Sequence, residues 1–181
     1  MSSARQVALL LAASVVGVAL VACGARSEGA KLRGNFTLEQ ARAFEDFPLY
    51  YAGERVDDLP LVSVLRRNDT ANFVSFVYGD CTPAAYDQGC APPAEIQTWP
   101  AASRNLGSYD RSAAGSSAPE RTAMRGREAA FFEDGTRLEI FAGPSTVVVF
   151  SDSRERVTKI VSALRCVSGA ASGEPRGKLQ C

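Results

Sequence analysis

Neighbouring carboxylates are the residues of this chain best suited to acid–base chemistry, because the sequence contains no histidine. Without histidine, Ser-His-Asp and Cys-His catalysis and the His-based zinc hydrolase sites are excluded. Glycoside cleavage needs only two acids, so each carboxylate pair is a candidate. Each pair also falls at a predicted turn or helix end, which favours solvated surface acids, or a weak calcium site at the second pair. The pairs are Glu45-Asp46, Asp57-Asp58 and Glu133-Asp134.

The start of the chain is typical of a secretory leader. Arg5 precedes an apolar run over residues 7–21, and small residues lead into Cys23. The run is shorter than the roughly 20 residues that span a bilayer, which disfavours a lasting transmembrane helix. Leu20-Val21-Ala22-Cys23 resembles the lipobox of bacterial lipoproteins. The resemblance implies cleavage before Cys23 and a diacylglycerol on its sulfur, which would hold the protein on the extracytoplasmic face of the cell membrane. A cleaved leader that releases a soluble protein is the alternative.

Four further cysteines follow Cys23, and in an oxidising compartment their even number predicts two disulfides. Three connectivities are possible, and we predict the local pairs Cys81–Cys90 and Cys166–Cys181. The first pair would close a short loop, and the second would join a polar tail to the end of a helix. A zinc site is disfavoured because no CxxC spacing occurs. We therefore expect no metal and no cofactor.

Aromatic residues in the first half of the chain are the candidates for a binding surface. Tyr86 lies inside the predicted disulfide loop, and Trp99 lies in a short segment flanked by prolines. A disulfide-held loop beside an edge strand offers a preorganised contact surface, so Tyr86 and Trp99 are the predicted binding residues. The alternative is that Trp99 and Tyr78 are core residues of a small sheet. Residues 78–100 look like a segment of uncharacterised actinobacterial envelope proteins, a likeness that implies no activity.

Periodicity and turn signals predict the elements that would position these residues. Thr37 and Gln40 form a predicted capping box for a helix over about 38–45. Prolines at both ends of 95–100 favour a short edge strand, and a long, mobile surface loop is predicted over about 101–122. Asp152 would cap a C-terminal helix. The apolar stripe of that helix is Val157, Ile160, Val161 and Leu164. Other predicted strands span 47–52, 61–66, 71–78, 128–132, 137–142 and 146–150.

Together these elements predict an α+β fold, an antiparallel sheet with a C-terminal amphipathic helix packed on one face and two disulfides. The expected organisation is a signal peptide over 1–22, a tether over 23–34 and a single extracytoplasmic domain over 35–181. Twenty basic residues balance twenty acidic ones, which argues against a nucleic-acid partner.

The predicted function is a non-catalytic, membrane-anchored binding or interaction module of the cell envelope. Its membrane contact would run through the lipid on Cys23, and its partner would be an envelope protein or a glycan. Two alternatives remain: a small envelope hydrolase that uses paired carboxylates, and a purely structural envelope component.

Overall fold

An eight-stranded antiparallel sheet forms the centre of the protein, as seen in a computed structural model. The structure describes residues 34–81, 90–105, 107, 118–167, 178–179 and 181. Helix α1 spans Leu38–Arg42, and helix α2 spans Arg154–Ala163. The strands are β1 (Tyr50–Tyr51), β2 (Arg55–Val56), β3 (Leu59–Arg67), β4 (Phe73–Tyr78), β5 (Ala94–Pro100), β6 (Glu120–Met124), β7 (Arg127–Phe132), β8 (Arg137–Phe141), β9 (Ser145–Ser151) and β10 (Arg165–Cys166).

The sheet joins two meanders side by side. Its strand order is β2-β3-β4-β5-β9-β8-β7-β6, so strands adjacent in sequence pair everywhere except where β5 meets β9. That junction is antiparallel over the full length of both strands, from Ala94 opposite Ser151 to Pro100 opposite Ser145. Strands β1 and β10 form a separate antiparallel pair. The observed sheet and helix confirm the predicted α+β class.

Helix α2 packs against one face of the sheet, and the side chains of this face form most of the hydrophobic core. The predicted stripe of α2 is buried, with Val157 and Ile160 at 0% exposure. The core side chains come from alternate positions of the central strands, as the two-residue period of a strand requires. They include Val74, Phe76 and Tyr78 of β4, Ile96 of β5, Leu138 and Ile140 of β8, and Val147 and Val149 of β9. We call this the covered face.

Helix α1 begins as the capping box predicts. The Thr37 hydroxyl accepts a hydrogen bond from the Gln40 amide at 3.0 Å, and the Gln40 side chain accepts one from the Thr37 amide at 2.8 Å. In α2 the N-cap is Ser153, one residue later than the predicted Asp152. Asp152 instead forms an ion pair with Arg156, one turn along the helix.

Two disulfides close the chain locally. Cys81 pairs with Cys90 at a Cα separation of 5.9 Å, and Cys166 pairs with Cys181 at 5.3 Å. Both pairs agree with the predicted connectivity. The first bridge ties the end of β4 to the start of β5. The second ties residue 181 to β10.

Two predictions about the middle of the chain are wrong. The segment 95–100 belongs to β5, which lies between β4 and β9 and is therefore a central strand. Pro100 is its last residue and Pro93 precedes it, so neither proline removes a donor from the interior of the strand. The predicted loop over 101–122 also runs too far, because 120–122 are part of β6, which pairs with β7 across the tight turn at Arg125-Gly126. Residues 106 and 108–117 of that loop lie outside the described residues.

An exposed ion pair links the edge strand β6 to helix α2. Glu120 accepts hydrogen bonds from two guanidinium nitrogens of Arg154, one of them at 2.8 Å. The Arg154 guanidinium holds the pKa of the Glu120 carboxyl below its ordinary value of 4.5. A lowered pKa means that the pair contributes stability above pH 4.5 and that this contribution is lost as the pH falls through the lowered pKa.

We accordingly expect Glu120→Gln to lower the urea midpoint of unfolding slightly at pH 7, because an exposed pair contributes little. The difference from the unmutated protein should shrink as the pH falls below 4.5 and Glu120 becomes protonated. Glu128→Gln is the matched control, since its ion pair with Arg121 is longer, at 3.6 Å. A Glu120→Gln deficit of equal size at pH 7 and pH 3 would contradict this assignment.

Candidate functional site

The face of the sheet opposite α2 carries a mixture of aromatic and charged side chains, and we call it the second face. It is built from the positions that alternate with the core residues on the same strands. Its central members lie on β4, β5, β9 and β8, which the register places side by side. They are Phe73, Ser75, Glu95, Gln97, Trp99, Thr146, Val148, Phe150, Arg137 and Glu139.

Glu95, Gln97 and Trp99 alternate along β5 on this face and are joined by hydrogen bonds. We call these three residues the polar row. The Trp99 indole N–H donates to Gln97 Oε1 at 3.0 Å, and Gln97 Nε2 donates to Glu95 Oε1 at 2.8 Å. The buried hydroxyl of Ser75 on β4 donates to the same Glu95 oxygen at 2.6 Å. These bonds leave Glu95 Oε2 without a hydrogen-bond partner among the described residues, and they use only one of the two Gln97 N–H donors.

Trp99 packs between Phe73 of β4 and Arg104 of the segment after β5. Its ring stacks on Phe73 of β4, with centroids 4.4 Å apart and an interplanar angle of 27°. The Arg104 guanidinium lies 5.1 Å from the centroid of the indole ring. Trp99 remains partly exposed. The predicted binding residue thus lies on the second face rather than in the covered core, and it contributes to packing as well as to the surface.

A buried carboxylate anchors Arg104. Glu139 of β8 has 0% exposure, and Arg104 contacts both of its oxygens, through Nε at 2.9 Å and through Nη2. Arg137 adds a second, longer contact of 3.5 Å to Glu139. The guanidinium of Arg137 also lies 4.5 Å from the centroid of the Phe132 ring and pairs with Glu133 at 2.7 Å. Charge on this side of the polar row is therefore internally compensated.

Tyr78, the alternative core aromatic, is fully buried in the covered face. Its hydroxyl accepts a hydrogen bond from the Ala52 amide at 2.9 Å and donates one to the Gly53 carbonyl at 3.0 Å. Burial raises the pKa of this phenol well above its ordinary value of 10. Tyr78 is thus a structural residue that joins β4 to the segment after β1.

All three carboxylate pairs engage arginine. Asp46 lies 3.0 Å from Arg66, and Asp57 lies 3.7 Å from Arg156. Glu133 forms an ion pair with Arg137 at 2.7 Å. Two of the pairs lie between strands, as predicted for turns. Asp57-Asp58 separates β2 from β3, and Glu133-Asp134 separates β7 from β8. Each pair therefore has an electrostatic partner on a neighbouring element.

Several predicted site residues lie outside the described residues. These are Cys23, with the leader and most of the tether, and Tyr86, with the rest of the loop between Cys81 and Cys90. Within the described ranges, no group of three or more Cys, Asp or Glu side chains could hold a metal ion. The helices found there are also too short to cross a membrane.

A shallow cleft of about 420 Å³ lies between the end of α1 and the C-terminal disulfide. Phe44, Phe47 and Pro48 line it, together with Arg42, Glu45 and Cys181. Residues 42–48 supply most of its lining, and the disulfide with Cys166 places Cys181 at the remaining wall.

The sequence analysis missed the residues of the polar row other than Trp99. Glu95 and Gln97 alternate with Trp99 along one strand, and that spacing alone places the three on one face. Phe73, Arg104 and Glu139 reach this site from β4, from the segment after β5 and from β8, so only the strand pairing brings them together.

The fold and this surface define a class, a two-layer α+β domain with a polar and aromatic surface on its second sheet face. Compared with known proteins, the chain matches no family model, no curated protein and no solved structure.

Proposed function

We propose that this chain is a membrane-anchored lipoprotein whose domain is a non-catalytic binding module of the cell envelope. The polar row is the observation that carries the binding role. It presents a carboxylate oxygen and an amide N–H on a partly exposed sheet face, and internal hydrogen bonds fix both groups in place. Binding sites commonly combine a few fixed polar groups with aromatic side chains, as this surface does.

The membrane attachment rests on the lipobox-like residues that end at Cys23. Local disulfides suit an extracytoplasmic domain, because such bonds persist in oxidising compartments. A diacylglycerol on Cys23 would provide two acyl chains, enough for stable anchoring.

A non-catalytic role is supported by the chemistry of the titratable groups. Histidine is absent from the sequence, and each carboxylate pair has an arginine contact at a turn. A hydrolase would need two such acids to face one substrate bond. Amide substitutions at Glu45, Asp58 and Glu133 would test that alternative, since unchanged function and stability would exclude it.

The anchor is tested by the intact mass of the protein from native membranes, with and without reduction and alkylation. The proposal expects a chain that begins at lipidated Cys23, with four further thiols labelled only after reduction. An unprocessed leader, or free thiols in the native sample, would contradict the proposed compartment.

The binding role is tested with the purified lipidated protein and envelope fragments from cells that lack it. Saturable binding that excess unlabelled protein displaces is the expected result. Association that neither saturates nor is displaced would favour a purely structural component.

A further inference from the structure

The polar row also indicates what kind of ligand the proposed binding module takes, an inference that rests on that proposed function. We propose that the second face binds a neutral glycan, and that Glu95 and Gln97 select it by pairing with its hydroxyl groups. Trp99 and Phe73 would supply the apolar contact surface beside them.

The polar row has hydrogen-bond capacity that its internal bonds do not use. Glu95 Oε1 already accepts from Ser75 and Gln97, whereas Oε2 accepts from no described residue. Gln97 uses its oxygen to accept from Trp99 and one amide hydrogen to reach Glu95, so one N–H donor is left. The surface thus offers one strong acceptor and one donor on neighbouring side chains of the same strand face.

A hydroxyl group matches this pair because it both donates and accepts a hydrogen bond. An ammonium or guanidinium group could satisfy Glu95, but it only donates and would leave the Gln97 N–H unpaired. A carboxylate or phosphate ligand would accept from Gln97 and meet the Glu95 carboxylate as a like charge. A hydroxylated ligand thus satisfies both groups at once; an amide group also can, which is why binding of a protein is a named outcome of the test.

The charges around the polar row favour a neutral ligand. On one side Arg67 lies 5.9 Å from the centroid of Phe73 and is paired with Asp69 at 2.5 Å. On the other side Arg104 is held by the buried Glu139. Both arginines lie beside the rings at one end of the row, where they disfavour a cationic ligand, while their pairing with carboxylates reduces their attraction for anions.

The shape of the row suits an extended ligand with apolar patches. Glu95 and Trp99 are four residues apart on a strand, a span of about 13 Å at roughly 3.3 Å per residue. Polar groups lie at one end of this span and the partly exposed rings of Trp99 and Phe73 at the other. Pyranose rings combine hydroxyl groups with apolar C–H surfaces, so a sugar chain laid along β5 would match both ends. The hydrogen bonds within the row fix its side chains beforehand, which lowers the entropy lost on binding.

The experiment uses Trp99 itself as the reporter, since it is the single tryptophan of the chain. The mature lipidated protein, in a detergent without sugar groups, is titrated with cellohexaose, chitohexaose and mannohexaose while indole fluorescence is recorded. We expect a saturable change with at least one of these neutral hexasaccharides. Glu95→Gln keeps an oxygen for Ser75 and Gln97 and turns only the outward acceptor into a donor, so it should weaken that binding about tenfold.

Glu128→Gln is the matched control, a carboxylate-to-amide change on the same face of the sheet but on β7, and its affinity should stay within twofold. Gln97→Met is the second variant, which removes the outward donor at similar size and should also weaken binding. Urea unfolding of each variant shows whether it is folded.

Saturable glycan binding that both polar-row variants leave unchanged would overturn the glycan inference. No response to any of the glycans, together with displaceable binding of an envelope protein, would also overturn it and leave the proposed binding module standing. Absence of every displaceable ligand in envelope fragments would remove the proposed function as well.

Discussion

Arg104→Met is expected to lower the free energy of unfolding by about 3 kcal/mol, because the buried Glu139 carboxylate loses the guanidinium that contacts both of its oxygens. Glu139 has 0% exposure, and Arg104 contacts both of its oxygens. Arg137 stays at 3.5 Å and stabilises part of the charge, which keeps the loss at the lower end for a broken buried pair. Methionine keeps the length and apolar character of the arginine stem over Trp99. The measurement is urea unfolding at pH 7 with both disulfides intact.

The double variant Arg104→Met with Glu139→Leu is the control for this interpretation. Once the Glu139 charge is removed as well, no buried carboxylate has lost its Arg104 contacts, and the double variant should be more stable than Arg104→Met alone. Arg137→Met should cost less than Arg104→Met, since its contact with the buried Glu139 is the longer one and its ion pair is with an exposed carboxylate, Glu133. A loss below about 1 kcal/mol for Arg104→Met, or a double variant no more stable than the single one, would show that this pair contributes little to the fold.

This ion pair belongs to a packed cluster of side chains on the second face. Its central ring, Trp99, is held between Phe73 and Arg104, and its indole N–H is paired with Gln97. Arg104→Met should therefore also change the emission of Trp99, because it replaces a cation 5.1 Å from the ring centroid with a neutral thioether.

The sequence predicts those parts of the fold that local signals determine. The predicted stripe has a 3.6-residue period, and all four of its residues are buried, three within α2 and Leu164 at its C-cap. The meander β7-β8-β9 follows from short strands joined at Gly135 and at Gly143-Pro144, whose turn chemistry lies within a few residues. The two disulfides are local as well, and their loops are short.

Long-range pairing explains what the sequence leaves undetermined. Strand β5 is central only because it pairs with β9, and the sequence offers no local signal for that partner. Strand β6 contains few apolar residues because it lies at the sheet edge, so its composition resembles that of a loop. Hydrogen bonds between backbones, rather than side-chain pattern, make Glu120–Met124 a strand.

The same distinction applies to the site. Trp99 stands out in the sequence because it is the single tryptophan, and its strand neighbours Glu95 and Gln97 follow from alternation. Arg104 lies in a polar segment where nothing marks it as special, and Glu139 occupies a strand position where an exposed acid would be expected. Only the register between β5, β9 and β8 places that acid beneath Arg104.

Tyr78→Phe is expected to lower the free energy of unfolding by about 3 kcal/mol, although it removes a single oxygen atom. The lost hydroxyl leaves the Ala52 amide and the Gly53 carbonyl without their partner, and both residues are buried. A buried polar group left unpaired costs about 1–3 kcal/mol, and here two such groups result. Urea unfolding at pH 7 measures the loss. Tyr51→Phe is the matched control, because the Tyr51 hydroxyl makes no hydrogen bond to the described residues, and it should change stability by less than about 0.5 kcal/mol.

The pH dependence of the same variant tests the cause. Burial raises the pKa of Tyr78 above its ordinary value of 10, so the folded protein keeps this proton at a pH where the unfolded chain releases it. Stability that Tyr78 contributes is therefore fully present below pH 10 and falls as the pH rises beyond it, at up to about 1.4 kcal/mol per pH unit. Tyr78→Phe lacks this loss, so the gap between the two proteins should narrow between about pH 10 and pH 11. A gap that stays constant over that range would show that the Tyr78 hydroxyl ionises equally in both states.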